Sequence, residues 1–257
     1  MSPQSTIRSC LLALALLLGA CSSAPRKDTA SHADPLAAAR KALATATPCC
    51  NHFSDFDFAQ TLPSRPKRFT VGPGLPMADF NGSRSWFLAF RLPDDAKLPY
   101  QVLLKSVLTG RWLHTSYLYA PTVVLLDAGF RPLHTEDVQL CEYIGWTQAT
   151  SGAFGHFGID DPAARYLVVY SSGSQLAGST YWEQSPAAFS AEAPVKMAST
   201  GSFQIPHGPD GTLFVGMLTP HFQKVIDGAI CGKPKEHATG VLSTLRSVIL
   251  PARREGS

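Results

Sequence analysis

Tyr119-Ala120-Pro121-Thr122-Val123-Val124-Leu125-Leu126-Asp127 is the stretch that sets the fold class. Val123, Val124, Leu125 and Leu126 run without a polar interruption, a pattern that suits a strand buried on both faces. Working outward, apolar segments of strand length recur on either side. Arg68 to Val71 leads into the turn Gly72-Pro73-Gly74-Leu75-Pro76, and Ser85 to Leu92 is closed by Pro93-Asp94-Asp95. Tyr100 to Leu108 and Trp112 to Tyr119 flank Thr109-Gly110-Arg111 and read as a hairpin. Later candidates are Ala153 to Ile159, Arg165 to Ser171 and Thr212 to Leu218. Turn signals about every 8–12 residues mark a sandwich or barrel, and no βαβ alternation points to a parallel sheet. The expectation is an all-β chain, a jelly-roll-like antiparallel β-sandwich with short flanking helices.

Two helices are expected beside it. Asp34 is an N-cap with Pro35 in the first helical position, so Pro35 to Thr45 reads as a helix that Pro48 terminates. Val241, Leu242, Leu245, Val248 and Ile249 fall at helical spacing within Thr239 to Leu250. Ala177 to Gly201 is rich in Ser and Ala and reads as a long loop.

The N-terminal segment has a different logic. Arg8 supplies a positive charge, Leu11 to Leu18 is an apolar run of Leu and Ala, and Gly19-Ala20 precede Cys21. This is a signal peptide whose Leu18-Gly19-Ala20-Cys21 has the form of a lipobox, with Cys21 acylated after cleavage. The apolar run is far shorter than the roughly 20 residues that span a bilayer. Ser22 after the cysteine points to the periplasmic side of the outer membrane, where lipid chains hold a domain that otherwise folds in water. The expected organisation is a signal peptide over 1–20, a lipidated tether and short helix over 21–48, and one β-sandwich domain with a C-terminal helix over 49–257.

Composition fits that plan. About 210 residues remain after the signal and tether, enough for one large domain or two small ones. The chain is 45% hydrophobic and 16% charged, with 20 Gly and 20 Pro, which favours many turns and short strands over long helices. A net charge of +3, with no basic cluster larger than Arg65, Lys67 and Arg68, argues against nucleic acid as a partner. Cys49, Cys50, Cys141 and Cys231 remain after processing, an even number that suggests disulfides in an oxidising compartment. Adjacent cysteines can bond only through a strained eight-membered ring, so the preferred pairing joins Cys49 and Cys50 to Cys141 and Cys231. A metal site using the cysteine pair and His52 is the alternative, but no second Cys or His element accompanies it. No metal and no other cofactor is expected.

The strands also carry a resemblance. Tyr119 to Asp127 followed by Phe130-Arg131-Pro132, then Arg165 to Tyr170, then Asp210-Gly211-Thr212-Leu213, resemble segments of the maltose operon periplasmic protein family. The resemblance spans about half the chain and implies a periplasm-facing accessory of maltose or maltodextrin uptake without enzymatic activity. The chain departs from the family in its lipobox and its cysteine pair.

A search for reaction chemistry finds no Gly-x-Ser-x-Gly elbow, no His-Glu-x-x-His helix and no phosphate-binding loop. His114 and His156 are candidate bases, but a lone strand histidine is first a hydrogen-bonded structural residue. Asp160-Asp161 and Asp127 are candidate ligands, yet each sits where a turn former belongs. The aromatics are a better lead, because a sugar face stacks on flat rings. Trp86, Trp112, Trp146, Trp182, Tyr117, Tyr119, Tyr143 and Tyr181 are candidates, against the expectation that most aromatics are core. Tyr181-Trp182, placed in the polar loop region, is the preferred sugar-stacking pair. The functional expectation is a non-enzymatic envelope lipoprotein that handles maltodextrin. The alternatives are an envelope lipoprotein that binds another protein and a hydrolase assembled from scattered residues. A binder should show a concave, aromatic-lined patch, and an interaction protein a flat apolar one.

Overall fold

The computed structural model describes residues 34–110, 115–144, 151–183 and 202–231. The strands are β1 (Lys67–Val71), β2 (Met77–Phe80), β3 (Ser83–Trp86), β4 (Leu88–Arg91), β5 (Tyr100–Val107), β6 (Leu118–Tyr119) and β7 (Thr122–Leu126), and then β8 (Pro132–Asp137), β9 (Cys141–Tyr143), β10 (Gly152–Ile159), β11 (Tyr166–Tyr170), β12 (Ser179–Glu183), β13 (Ser202–Gly208) and β14 (Gly211–Met217). Helices span Pro35–Thr45, Gly173–Ala177 and Pro220–Asp227. One antiparallel sheet has the order β1-β14-β5-β10-β9 and a second has the order β4-β11-β7-β8. Two smaller sheets, β12-β13-β6 and the hairpin β2-β3, complete the described strands.

Alternation along the strands explains the layers. From the five-stranded sheet, Val71, Val102, Leu104, Phe157, Ile159, Leu213 and Val215 face one cluster; Phe90, Val123, Leu125, Leu167 and Val169 reach it from the four-stranded sheet. The two sheets therefore form a β-sandwich, as the sequence predicts. Fully burying each such side chain contributes roughly 1.5–3 kcal/mol. Every residue of β7 is buried, and the reason is visible in its second face. Val124 and Leu126, with Val168 and Tyr170 of β11, pack into another cluster with Phe56, Ala78, Phe80 and Phe87. The four-stranded sheet is thus covered behind as well as in front, by the β2-β3 hairpin and by the chain around Phe56.

Local signals account for the elements in that cover. Asp34 caps the Pro35–Thr45 helix by accepting from the Leu36 N–H at 3.0 Å, with Pro35 at its start. Leu43 enters the inter-sheet cluster, and the Arg84 guanidinium donates to the Ala44 and Ala46 carbonyls at the helix end. Asn81 (φ 55°) and Gly82 (φ 87°) make the two-residue turn of β2-β3, because a tight hairpin needs two positive-φ residues and Asn-Gly adopts them at low cost.

Three expectations are corrected. Ser85 to Leu92 is two strands: β3 pairs with β2, the Phe87 N–H turns to the Pro76 carbonyl, and β4 pairs with β11. Among the described residues the expected hairpin survives only as one bridge between Thr109 and Tyr117, since β5 lies between β10 and β14 while β6 runs parallel to β13. Within the loop expected over Ala177 to Gly201, Ala177 ends the Gly173–Ala177 helix and β12 pairs with β13 from Ser179–Pro206 to Glu183–Ser202, while 184–201 lie outside the described residues. The C-terminal helix expected at Thr239 to Leu250 and the lipidation site Cys21 lie outside the described residues. No helix among the described residues is long and apolar enough to cross a membrane.

Candidate functional site

Four cysteines form two disulfides, but not in the expected pairing. Cys49 bonds Cys50, and Cys141 bonds Cys231 across a separation of 90 residues. The physical reason is placement: β9 and the segment after the Pro220–Asp227 helix are bridged by mutual Glu142–Ile230 hydrogen bonds of 2.9 and 2.7 Å, which brings Cys231 beside Cys141. The adjacent pair lies along β2, where the Cys49 N–H donates to the Met77 carbonyl at 2.8 Å and Cys50 bridges Ala78. With both sulfurs oxidised, the pair offers His52 no thiolate with which to share a metal.

From the pinned cysteine pair the chain turns outward and back. The Asp55 carboxylate accepts the N–H groups of His52 at 2.9 Å and Asn51 at 3.1 Å, closing a turn over the 3-10 segment Phe53–Asp55. Those two backbone donors hold the Asp55 carboxyl below its ordinary value. The turn places Phe53 and Phe56 edge to face at 5.5 Å, with Phe56 stacked on Phe87 at 4.1 Å and Phe80 stacked on Tyr170 at 3.9 Å. Facing this wall is the turn after β7. Asp127 Oδ1 accepts from the Gly129 N–H at 2.7 Å and the Arg131 N–H at 2.9 Å, with Phe130 at φ 59°. Asp127 is therefore a turn former. Phe130 stacks on Tyr166 at 4.9 Å.

Between the two walls lies a cleft of 510 Å³. Its lining includes buried Val124, Phe56, Phe80 and Tyr170, half-buried Phe53 and Phe130, and Cys50. Asn51, His52, Asp79, Asn81 and Thr135 supply polar groups around it, all of them exposed. Burial raises the Tyr170 phenol above its ordinary value, and the Asp137 charge adds to this, so the hydroxyl stays protonated at neutral pH. Concave shape, stacked rings and a few polar groups are the ordinary ingredients of a small-molecule site. A second cavity of 340 Å³ lies beside Cys141–Cys231, lined by Phe154, His156 and Ile226 among others.

The expected sugar-stacking pair is elsewhere. Trp182 is 5% exposed and packs with Leu118, Leu140, Ala153 and Ile205, while half-buried Tyr181 pairs with Gln204 across β12-β13. Neither lines either cavity described here. Trp86, Tyr117 and Tyr119 are core, whereas Trp112, His114 and Trp146 lie outside the described residues. His156 is exposed and its Nδ1 meets Gln101 Oε1 at 3.1 Å. Asp161 accepts the Ala163 N–H at 2.7 Å, a turn contact. Among the described residues no group of three His, Cys, Asp or Glu could hold a metal ion. The sequence signal for this cleft is Phe53-Ser54-Asp55-Phe56-Asp57-Phe58, three rings in six residues beside the cysteine pair, of which Phe53 and Phe56 line it.

Compared with known proteins, the chain matches no family model, no curated protein and no solved structure.

Proposed function

We propose that this chain is a non-enzymatic envelope lipoprotein of the maltose operon periplasmic type, anchored through Cys21 on the periplasmic side of the outer membrane, that binds a maltodextrin-like carbohydrate. The observation that carries the reading is the 510 Å³ cleft with aromatic rings and polar groups in its lining. A pyranose ring presents apolar C–H faces to aromatic planes and hydroxyls around its edge, and the cleft offers the complement of both. The lipobox at Leu18 to Cys21 supports the location, and the strand segments from Tyr119 to Leu213 support the sugar class.

The test is a calorimetric titration of maltotriose into the purified protein. Aromatic contacts contribute roughly 0.5–1.5 kcal/mol each beyond area burial, so the expected affinity is weak, in the range of about millimolar to micromolar. Phe53→Ala, at the open side of the cleft, should weaken it further. A second reading rests on β8, an edge strand exposed at five of its six residues, including Leu133. An exposed edge can take an added strand from another envelope protein. A flat titration across millimolar sugar removes the carbohydrate reading and leaves the edge-binding one.

A further inference from the structure

We propose that the Cys49–Cys50 disulfide is a redox gate on the cleft: oxidised, it holds the Asn51–Phe56 wall in its binding position; reduced by a dithiol, it releases that wall. The proposal rests on the cleft being the ligand site, and three observations carry it. Cys50 itself lines the cleft, and the residues that follow it form one wall. The pair is the hinge of that wall, fixed on one side to β2 through Met77 and Ala78 and continuous on the other with the turn closed by Asp55. Cys49 is an exposed residue, which places the pair at the protein surface.

The contrast with the other disulfide is informative. A bridge stabilises chiefly by restricting the unfolded chain, and the effect grows with the loop it closes. Cys141–Cys231 closes a long loop, whereas Cys49–Cys50 joins neighbours and closes none. Its influence is local, on the few backbone torsions that aim Asn51, His52 and Phe53. Reduction follows ordinary thiol–disulfide exchange. A thiolate of the dithiol attacks Cys49 Sγ, the S–S bond breaks, and Cys50 leaves as a thiolate that takes up a proton. The second thiol of the reductant then displaces Cys49 as a thiol. The pair gains two electrons and two protons, and the dithiol ends as its own disulfide.

The experiment titrates maltotriose into the full-chain lipoprotein in detergent, oxidised and after treatment with dithiothreitol. The same pair of titrations on Cys141→Ser/Cys231→Ser confines reduction to the adjacent pair, and Cys49→Ser/Cys50→Ser keeps the other bridge while abolishing this one. Reduced protein and Cys49→Ser/Cys50→Ser should bind at least about tenfold more weakly than oxidised protein. Binding should return when the reduced protein is reoxidised, and in Cys141→Ser/Cys231→Ser, where only the adjacent pair is left to reduce, reduction should leave the melting temperature nearly unchanged. Equal affinity in both states, with binding intact, overturns the gate and leaves the cleft as the site. Loss that does not recover on reoxidation, or that in Cys141→Ser/Cys231→Ser comes with a large fall in melting temperature on reduction, overturns it as a structural lesion. Failure of the oxidised wild-type protein to bind overturns the cleft reading and the gate with it.

Discussion

Lys105 sits in β5 on the face of the five-stranded sheet turned away from the sandwich core, flanked across the ladder by Phe154 and Phe214. Its ammonium lies 5.4 and 5.0 Å from the two ring centroids, and the residue is 1% exposed. Burial pulls the amine down from 10.5 to about 8. The folded protein therefore binds fewer protons than the unfolded chain between those values, so stability should rise with pH in that window. Above about pH 10 the tyrosines oppose it, because burial raises Tyr100 to about 12 and raises Tyr117 and Tyr119 as well. Denaturant unfolding from pH 7 to 10 should show the rise in wild-type protein and a flatter profile in Lys105→Met. A second residue-scale prediction concerns Trp182. Because its ring packs in a buried cluster, Trp182→Ala should cost about 3–5 kcal/mol of stability, read as a lowered denaturation midpoint, and should leave the sugar affinity of the folded fraction unchanged.

At the scale of elements, what decides each strand is whether its partners are close in sequence. β7 and β11 were legible because both faces of each are covered and their apolar runs are unbroken. The Pro35–Thr45 helix was legible because its cap chemistry is local. β8 was not, since an edge strand with exposed Pro132, Leu133, His134 and Thr135 has no apolar signature. Pro132 and the His134–Glu136 pair at 2.9 Å guard this edge against indiscriminate strand pairing, so the edge-binding reading requires a partner strand that fits around them. The pairing of β6 with β13 and the capture of Cys231 by β9 join distant segments that no local pattern announces. The disulfide gives the prediction at this scale. Cys141→Ser/Cys231→Ser should lose about 2–4 kcal/mol, measured by denaturant unfolding, while Cys49→Ser/Cys50→Ser should lose far less.

At the scale of the whole molecule, the sandwich was readable from turn spacing and apolar runs, but the candidate site was not. Its lining comes from β2, β7, β8 and β11 together with the turn after the cysteine pair and the turn after β7. Phe53, Phe80, Phe130 and Tyr170 are separated by dozens of residues, and only the folding of the 50–58 segment across the back of the four-stranded sheet collects them. Tyr181-Trp182 has no local strand signature because the partner of β12 lies beyond residue 201, outside any local window. A ligand received in this cleft should perturb the cleft's lining and leave other surfaces unchanged. Backbone amide chemical shifts followed during titration with maltotriose test it most directly. Binding in the cleft should concentrate shifts at Asn51–Phe56, Asp79–Asn81, Gly129–Phe130 and Thr135; shifts confined to β12 or to the cavity beside Cys141–Cys231, or none at millimolar sugar, would contradict it.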